Sequence, residues 1–261
     1  MTGRPLLSVV VPVRNDRRGL HTTLGALQSL PIECLQRMEC IVVDGGSSDG
    51  SVAALAEFSG LVTHLIAQTD DGVYDAMNRG VTLAKGHWVW FLGAGDCPNT
   101  DGVNEAMARL QTLSKDAGLA ASVATDARRE AGVPSVFSPS WSKALWWRNT
   151  IHHQGLWAPR AWLNELPFDA SLKVLGDYAW LLDMKLRHKP LECHPQWTLA
   201  QVGSGGLSRQ FHASLYFEEW RMKQGRTPLP VRLAQAVWLP AKWAFKQSSK
   251  VANSFGASTS Q

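Results

Sequence analysis

The strongest constraint on the fold is an uninterrupted apolar run that stops at a glycine-rich turn. Residues 88–92 read Trp-Val-Trp-Phe-Leu, and Gly-Ala-Gly-Asp follows directly at 93–96. Five consecutive apolar residues bounded by turn residues are typical of a strand buried on both faces, as in a parallel sheet. Such a sheet needs helices on both sides, so this stretch favours an α/β fold.

Other strands and helices are predicted upstream. Residues 6–13, 40–43 and 61–67 are short β-rich runs, and a helix with leucines at every third or fourth position separates the first two. This order predicts parallel strands with right-handed crossovers, whose carboxyl ends share one edge of the sheet. Open α/β sheets bind ligands at that edge. Asp44 and Asp96 each follow a predicted strand and are expected there.

The composition is that of an ordinary globular protein. The chain has 261 residues, of which 45% are hydrophobic and 18% are charged, and four widely spaced cysteines. It is long enough for a sizeable core, and the cysteine spacing suits a reducing compartment. No segment has the roughly 18 apolar residues that a bilayer requires. The N-terminus lacks a signal-peptide cleavage site, so a cytoplasmic protein is expected.

The motifs of residues 70–98 resemble those of a known family. Asp-Gly-Val-Tyr-Asp-Ala-Met-Asn-Arg-Gly at 71–80, followed by a hydrophobic strand and Leu-Gly-Ala-Gly-Asp, is similar to the inverting glycosyltransferases of family 2. The resemblance covers residues 6–98 closely and 150–210 more loosely. It implies the GT-A fold, a Rossmann-like, mostly parallel central sheet flanked by helices. A smaller acceptor-side region and C-terminal helices complete the expected architecture.

The resemblance also implies how the chain is divided. Residues 1–98 would be the nucleotide-sugar-binding half and 99–212 the acceptor-binding and catalytic half of the same domain. Residues 213–261 would form a C-terminal helical segment with a disordered tail. The nucleotide-sugar site would draw residues from several loops, namely Pro12, Asn15, Asp44, Asp70, Asn78, Arg79 and Gly95.

Asp44 and Arg79 have competing structural roles. The carboxylate of Asp44 could accept hydrogen bonds from the ring N–H groups of a base. Asp44 or Asp49 could instead cap the helix that follows, and we assign that role to Ser48 or Asp49. Arg79 could contact the diphosphate, or only pair with Asp75 four residues earlier.

The family's acidic pair usually reads D-D or D-x-D, whereas here Gly95 precedes Asp96. Asp96 corresponds to the acid expected to touch Mn²⁺ or Mg²⁺ directly. A single carboxylate binds a divalent cation weakly, but Mg²⁺-like ions often complete their shell with substrate phosphates and water. The metal would therefore arrive with the sugar nucleotide. The alternative is that Asp96 is a turn residue in an inactive relative.

The second half contains the candidates for the acceptor pocket and for the catalytic base. His153 and Gln154 resemble a His-Gln segment of the family and are expected in the acceptor pocket, with His152 pointing away. Asp177, in Gly-Asp-Tyr, is the expected base for attack by the acceptor hydroxyl. Its alternative role is a helix N-cap, and a helix N-terminus would weaken it as a base.

The C-terminal segment, residues 228–250, mixes apolar residues with Lys, Arg and Trp. This composition indicates a segment lying on an anionic membrane surface, or one docked on the protein's own core. Pro240 prevents one long straight helix. The net charge of +4 permits anionic lipid or phosphorylated substrates as partners, but the basic residues do not form a nucleic-acid-binding pattern.

Together these features predict a metal-dependent inverting glycosyltransferase of hexosyltransferase type in cell-surface polysaccharide biosynthesis. Its acceptor would be lipid-linked or an oligosaccharide, at the inner face of the membrane. The alternative is a non-catalytic sugar-nucleotide-binding partner of a membrane-associated assembly complex, motivated by the missing first acid. A third hypothesis, a nucleotidyltransferase, has less support, because residues 11–19 do not supply a Gly-rich phosphate loop.

Overall fold

The computed structural model describes residues 4–125, 134–203 and 213–238. The interruption at Pro240 and the predicted disordered tail lie outside these residues.

The N-terminal half alternates strands and helices, as the sequence predicts. Its strands are β1 (Leu7–Val13), β2 (Met38–Asp44), β3 (Val62–Ala67) and β4 (Trp88–Phe91), all parallel, in the order β3-β2-β1-β4. Its helices are α1 (Arg17–Gln28), α2 (Ile32–Leu35), α3 (Ser51–Ala54), the 3-10 turn Leu55–Phe58 and α4 (Val73–Leu83). The carboxyl ends of the four strands therefore meet at one edge.

The second half extends the same sheet through antiparallel β8. The elements are β5 (Cys97–Pro98), α5 (Thr100–Arg109), β6 (Gly118–Thr125), β7 (Val136–Phe137), the 3-10 turns Lys143–Trp146 and His153–Gly155, β8 (Leu156–Pro159), α6 (Arg160–Glu165), α7 (Gly176–Leu186), β9 (Leu191–Val202), α8 (Ala213–Lys223) and a helix over 229–238, here α9. The order continues from β4 as β8-β6-β9-β5, and β7 pairs with β6.

Helices cover both faces of the sheet. On one face, Leu20 and Leu24 of α1 share an apolar cluster with Val9 of β1. On the other face, Met77 of α4 shares a second cluster with Val10. Successive residues of β1 thus serve opposite clusters, as the period of a strand requires. This two-sided burial explains why the central strands are apolar throughout.

Helix α8 is fastened to the start of α7 by one carboxylate. Glu218 accepts hydrogen bonds from the backbone N–H groups of Lys173 (3.2 Å), Val174 (2.9 Å) and Leu175 (2.8 Å). Leu175 is the N-cap residue of α7 and has no capping side chain. Amides at a helix N-terminus lack intrahelical partners, and the helix dipole favours a negative charge there. Glu218 therefore replaces a local cap with a long-range one.

Replacing Glu218 with Gln should lower the free energy of unfolding by about 1–3 kcal/mol, because the charge and one acceptor oxygen are lost. Urea unfolding of Glu218→Gln measures the change. The matched control is Glu105→Gln, since Glu105 is exposed on α5. Equal stability of the two variants would show that Glu218 does not hold α7.

Candidate functional site

Asp44, the last residue of β2, presents a buried acceptor at the edge of the sheet. Its Oδ1 accepts hydrogen bonds from the N–H groups of Gly46 (3.0 Å) and Ser47 (2.8 Å). Its Oδ2 is buried and has no hydrogen-bond partner among the described residues. The start of α3 is served separately, by Asp49, which accepts from the N–H of Ser51 (3.0 Å). A buried unpaired acceptor is costly, so Oδ2 suits a ligand that brings an N–H group.

Asp70 packs against Gly45, the residue after Asp44. A Cβ atom on Gly45 would collide with Oδ2 of Asp70, so only glycine permits this approach. The other oxygen of Asp70 accepts from the N–H of Gly72 (3.1 Å), which precedes α4. The loop after β3 thus brings the Asp70 carboxylate against the turn that follows β2.

Pro12 and Asn15 shape the rim near Asp44. Asn15 has a φ of 51°, and its backbone N–H donates to Oγ of Ser47 (2.7 Å). Its side-chain oxygen accepts from the N–H of Ser48 (2.8 Å). Pro12 is buried in β1 opposite Val43. The structure therefore uses Asn15 to join the loops that follow β1 and β2.

Asn78 and Arg79 are engaged in contacts within the protein. The amide of Asn78 donates to the backbone oxygen of Phe168 and accepts from its N–H, both at 2.9 Å. Arg79 pairs with Asp75 at 2.7 Å and donates to the backbone oxygen of Thr69 at 2.9 Å. The clamp on Phe168 joins α4 to the second half of the chain. Nucleotide contact by either residue stays a prediction.

Asp96 is a buried carboxylate held by three parts of the chain. Its Oδ2 accepts from the N–H of Gly93 (2.8 Å) and from Nε2 of Gln154 (3.0 Å), and its Oδ1 accepts from the N–H of Gly203 (2.9 Å). A carboxylate offers about four acceptor positions, so one remains on Oδ1. This oxygen suits monodentate binding of a Mg²⁺-like ion whose other ligands are phosphate and water. Within the described part of the chain, no group of three His, Cys, Asp or Glu could hold a metal ion.

The turn before Asp96 borders a cavity of about 490 Å³. Gly95 in this turn has a φ of 93°, which favours glycine, and its N–H lies 2.9 Å from Oγ1 of Thr23. The cavity lies between the start of α1, this turn and the end of β9, and is lined by Asp16, Arg18, Gly19, Thr22, Ala94, Gly95, Cys97, Gln201, Val202 and Gly203. Sequence reasoning missed Arg18 and Gln201, because neither belongs to a motif. Asp96 itself does not line this cavity, and neither do Asp44, Asp70 and Asp177.

Asp177 lies in the first turn of α7, after the N-cap residue Leu175, so the alternative role as N-cap is wrong. Its Oδ1 accepts from the N–H of Tyr178 (2.8 Å) and from the hydroxyl of Tyr74 (3.2 Å). Its Oδ2 lies 3.1 Å from Nδ1 of His153. Tyr74 comes from α4 and had no assigned role in the sequence. A tyrosine inside an otherwise apolar helix face was the signal available, since a buried hydroxyl needs a partner.

His153 and Asp177 stabilise each other's charged forms. Burial alone would lower the pKa of His153 and raise the pKa of Asp177. The hydrogen bond and the opposite charges outweigh burial, so the pKa of His153 is raised and the pKa of Asp177 is lowered. The carboxylate of Asp177 is therefore ionised at neutral pH.

Two consecutive residues connect Asp96 of the first half with Asp177 of the second half. His153 contacts Asp177 and Gln154 contacts Asp96, both from the 3-10 turn His153–Gly155. The neighbouring His152 packs its ring edge-on against Phe137, with centroids 4.3 Å apart. The turn therefore joins the residue predicted to hold the metal to the residue predicted as the base.

Known proteins share both the motifs and the fold. A family model described as "Glycosyl transferase family 2" matches residues 8–157. An uncharacterised glycosyltransferase of Mycobacterium tuberculosis is 27% identical over 225 residues, which cover 85% of this chain and 84% of the relative. A PGL/p-HBAD biosynthesis glycosyltransferase of Mycobacterium bovis is 41% identical over 95 residues, which cover 35% of this chain and 36% of the relative.

A solved structure resembles the whole chain. The mannosyltransferase PcManGT from Pyrobaculum calidifontis, in complex with GDP-Man and Mn²⁺, has a TM-score of 0.64 and 18% identity, covering 100% of this chain and 77% of that chain. This likeness confirms the predicted GT-A fold. The family model spans more than half of the chain, including β1, β2 and the turn that carries Asp96. The chain belongs to glycosyl transferase family 2.

Proposed function

We propose that the protein is an inverting glycosyltransferase that moves a sugar from a nucleotide diphosphate to a hydroxyl of a lipid-linked or oligosaccharide acceptor. Its process would be cell-surface polysaccharide biosynthesis. The observation that carries the proposal is that four acids fall into two pairs. Asp70 packs against Gly45, next to Asp44, and Asp96 is linked to Asp177 through the consecutive residues Gln154 and His153. The first pair suits the nucleoside and the second suits the reacting groups.

The nucleoside is assigned to the edge formed by β2 and β3. The unpaired Oδ2 of Asp44 can accept an N–H from a base. Asp70, which packs against Gly45, would add a second carboxylate on this edge. The mannosyltransferase of similar fold was solved with GDP-Man, which supports a sugar nucleotide as the donor.

The diphosphate is assigned to Asp96. This residue would hold Mn²⁺ or Mg²⁺, and such an ion would neutralise the charge that develops on the departing diphosphate. The three N–H groups that bind Asp96 fix the direction of its remaining acceptor position. The protein thus contributes an Asp96 oxygen whose direction is fixed before the metal ion binds.

Inversion requires one displacement, in which a base removes the proton of the acceptor hydroxyl as its oxygen attacks. Asp177 is the acid proposed for the acceptor side, with His153 in contact with it. His153 and Gln154 would form one wall of the acceptor pocket.

The rival function is a non-catalytic sugar-nucleotide-binding partner. Calorimetry with UDP, GDP and dTDP in the presence of Mn²⁺ first identifies the base. The protein is then incubated with the matching sugar nucleotide and an acceptor extract, and free nucleoside diphosphate is assayed. Its release distinguishes a transferase from a non-catalytic binding partner. Binding without any turnover would favour the rival.

Peripheral contact with the inner face of the membrane is part of the proposal. None of the described helices is long and apolar enough to span a membrane. Helix α9 buries Val231 and Gln235 against the protein but leaves Leu229, Leu233 and Val237 more than half exposed. These three residues lie four apart, on one outward face.

The charge around this face favours anionic lipid over a second copy of the chain. From Trp220 to the end, the sequence holds seven Lys or Arg and no Asp or Glu. Lys223 and Arg226 form internal ion pairs, but the others add to one sign of charge. Two copies would repel each other, whereas a basic helix with an apolar face binds anionic membranes.

Asp44→Asn should weaken nucleotide binding roughly 10- to 100-fold, as expected when a charge-assisted hydrogen bond is lost. The amide can keep Oδ1 as acceptor for Gly46 and Ser47 while placing an NH₂ group where Oδ2 was. Calorimetry with the preferred nucleoside diphosphate measures the loss, and thermal unfolding checks the fold. Asp101→Asn, at an exposed site on α5, should bind normally. Normal binding by Asp44→Asn would remove Asp44 from the nucleotide site.

Removal of divalent cations should lower nucleoside diphosphate release at least tenfold, because no metal ion would then neutralise the negative charge on the departing diphosphate. EDTA treatment followed by addition of Mn²⁺, Mg²⁺ or Ca²⁺ measures the loss and its recovery. Full activity after EDTA treatment would contradict the metal assignment but leave the transferase proposal standing.

Leu229→Ser combined with Leu233→Ser should reduce binding to vesicles of phosphatidylcholine and phosphatidylglycerol roughly tenfold, because apolar area no longer enters the bilayer. Co-sedimentation measures the effect, with pure phosphatidylcholine vesicles as the uncharged comparison. The control is Ile32→Ser, since Ile32 is also exposed (59%) but lies on α2. Unchanged binding by the double variant would exclude this face as the contact.

A further inference from the structure

We propose that Nε2 of His153 takes the proton of the attacking hydroxyl and that Asp177 is the positioning residue that holds the imidazole through Nδ1. This assignment rests on the proposed transferase function, and it differs from the prediction that Asp177 is the base.

Both oxygens of the Asp177 carboxylate already accept hydrogen bonds. Oδ1 accepts from the N–H of Tyr178 and lies 3.2 Å from the hydroxyl of Tyr74, which also donates to the oxygen of Val174. Oδ2 faces Nδ1 of His153. The side chain of Asp177 is only 15% exposed, and it lies in the first turn of α7, where the helix dipole favours the ionised form. A carboxylate stabilised in this way is a poor proton acceptor.

The imidazole of His153 has the complementary arrangement. When Nδ1–H donates to Asp177, the neutral ring carries its lone pair on Nε2. In the described part of the chain, no hydrogen bond occupies Nε2, and the side chain is 24% exposed. The ring is therefore oriented at one nitrogen and accessible at the other, as in other bases positioned by a carboxylate.

The position of the imidazole suits the reaction. Gln154, the next residue, donates to Asp96, so the ring lies one residue from the anchor of the carboxylate assigned to the diphosphate. The charges of Asp177 and Asp96 both favour protonation of His153, while His152 also acts on Asp177. The imidazolium formed by proton transfer would thus be stabilised mainly by Asp177, since a cation held by Asp96 would offset the charge of that carboxylate.

The chemical step balances without a further reactant. The acceptor oxygen forms a bond to the anomeric carbon as the bond from that carbon to the diphosphate oxygen breaks. The bonding electron pair leaves with the diphosphate, and the hydroxyl proton moves to Nε2. The imidazolium later gives this proton to water.

The two assignments predict different pH profiles. Because neutral His153 would be the active form and its pKa is raised, kcat/KM should fall about tenfold per pH unit below a midpoint above the ordinary value of 6.5. If Asp177 were the base, its lowered pKa would keep kcat/KM level well below neutral pH, toward and beyond the ordinary value of 3.8. Release of nucleoside diphosphate to water, from GDP-mannose, UDP-N-acetylglucosamine or dTDP-glucose with Mn²⁺, measures the profile.

Variants separate the roles further. His153→Gln should lower turnover about 10²- to 10⁴-fold, the range of general base catalysis, with unchanged donor affinity. In Asp177→Asn, the fall of the residual kcat/KM at acidic pH should move to lower pH, because loss of the carboxylate lowers the pKa of His153. The control is His21→Gln, at an exposed site on α1, which should keep the wild-type pH profile. Thermal unfolding confirms that each variant is folded.

Titration of the His153 ring by NMR provides a readout that needs no turnover. The imidazole pKa should lie above 6.5 in the wild-type protein and fall in Asp177→Asn. A level profile between pH 5 and 8, or near-normal turnover by His153→Gln, would overturn the assignment alone. Absence of release from every donor, with binding intact, would instead overturn the proposed function and the base together.

Discussion

The hydrogen bonds to Asp96 hold together three segments that are distant in the sequence. A buried carboxylate is stable only if its lone pairs are satisfied, since desolvation otherwise forces it to take up a proton. The donors come from the turn after β4, from the 3-10 turn before β8 and from the end of β9, through Gly93, Gln154 and Gly203. The hydrogen bonds to the Asp96 carboxylate thus align the edge of the sheet with the turn that carries Gln154.

The position of Asp96 also constrains the position of Asp177, because Gln154 and His153, which contact these two acids, are adjacent in the sequence. A short 3-10 turn has few conformations once one of its side chains is fixed. The hydrogen bond of the Gln154 amide to Asp96 therefore also restricts the position of the His153 imidazole. Tyr74 adds an independent link, because its hydroxyl reaches Asp177 from α4. The groups proposed to react are therefore positioned by secondary-structure elements, as efficient catalysis requires.

The strands and helices could be predicted from the sequence, because their apolar residues form runs or recur at regular spacing. Buried parallel strands are continuous apolar runs, so the ends of β2 and β4, and with them Asp44 and Asp96, were predictable to within a residue or two. The contact of His153 with Asp177 has no periodic signal, because it depends on how β8 and α7 pack in three dimensions. The same holds for the amide of Asn78, which clamps Phe168 across the two halves. Residue types reveal which groups can react, but long-range packing decides which of them are free to do so.

Helix α8 extends this chain of contacts to the C-terminal region. Glu218 holds the three amides before α7, and the oxygen of one of those residues, Val174, accepts the hydroxyl of Tyr74 at 2.6 Å. On the same helix, Phe217 and Trp220 are 62% and 42% exposed. One helix therefore contacts the support of Asp177 on one side and presents aromatic rings to the surroundings on the other. Because a helix moves as a unit, a partner bound to those rings would act directly on the segment before α7, which contacts Asp177 through Tyr74.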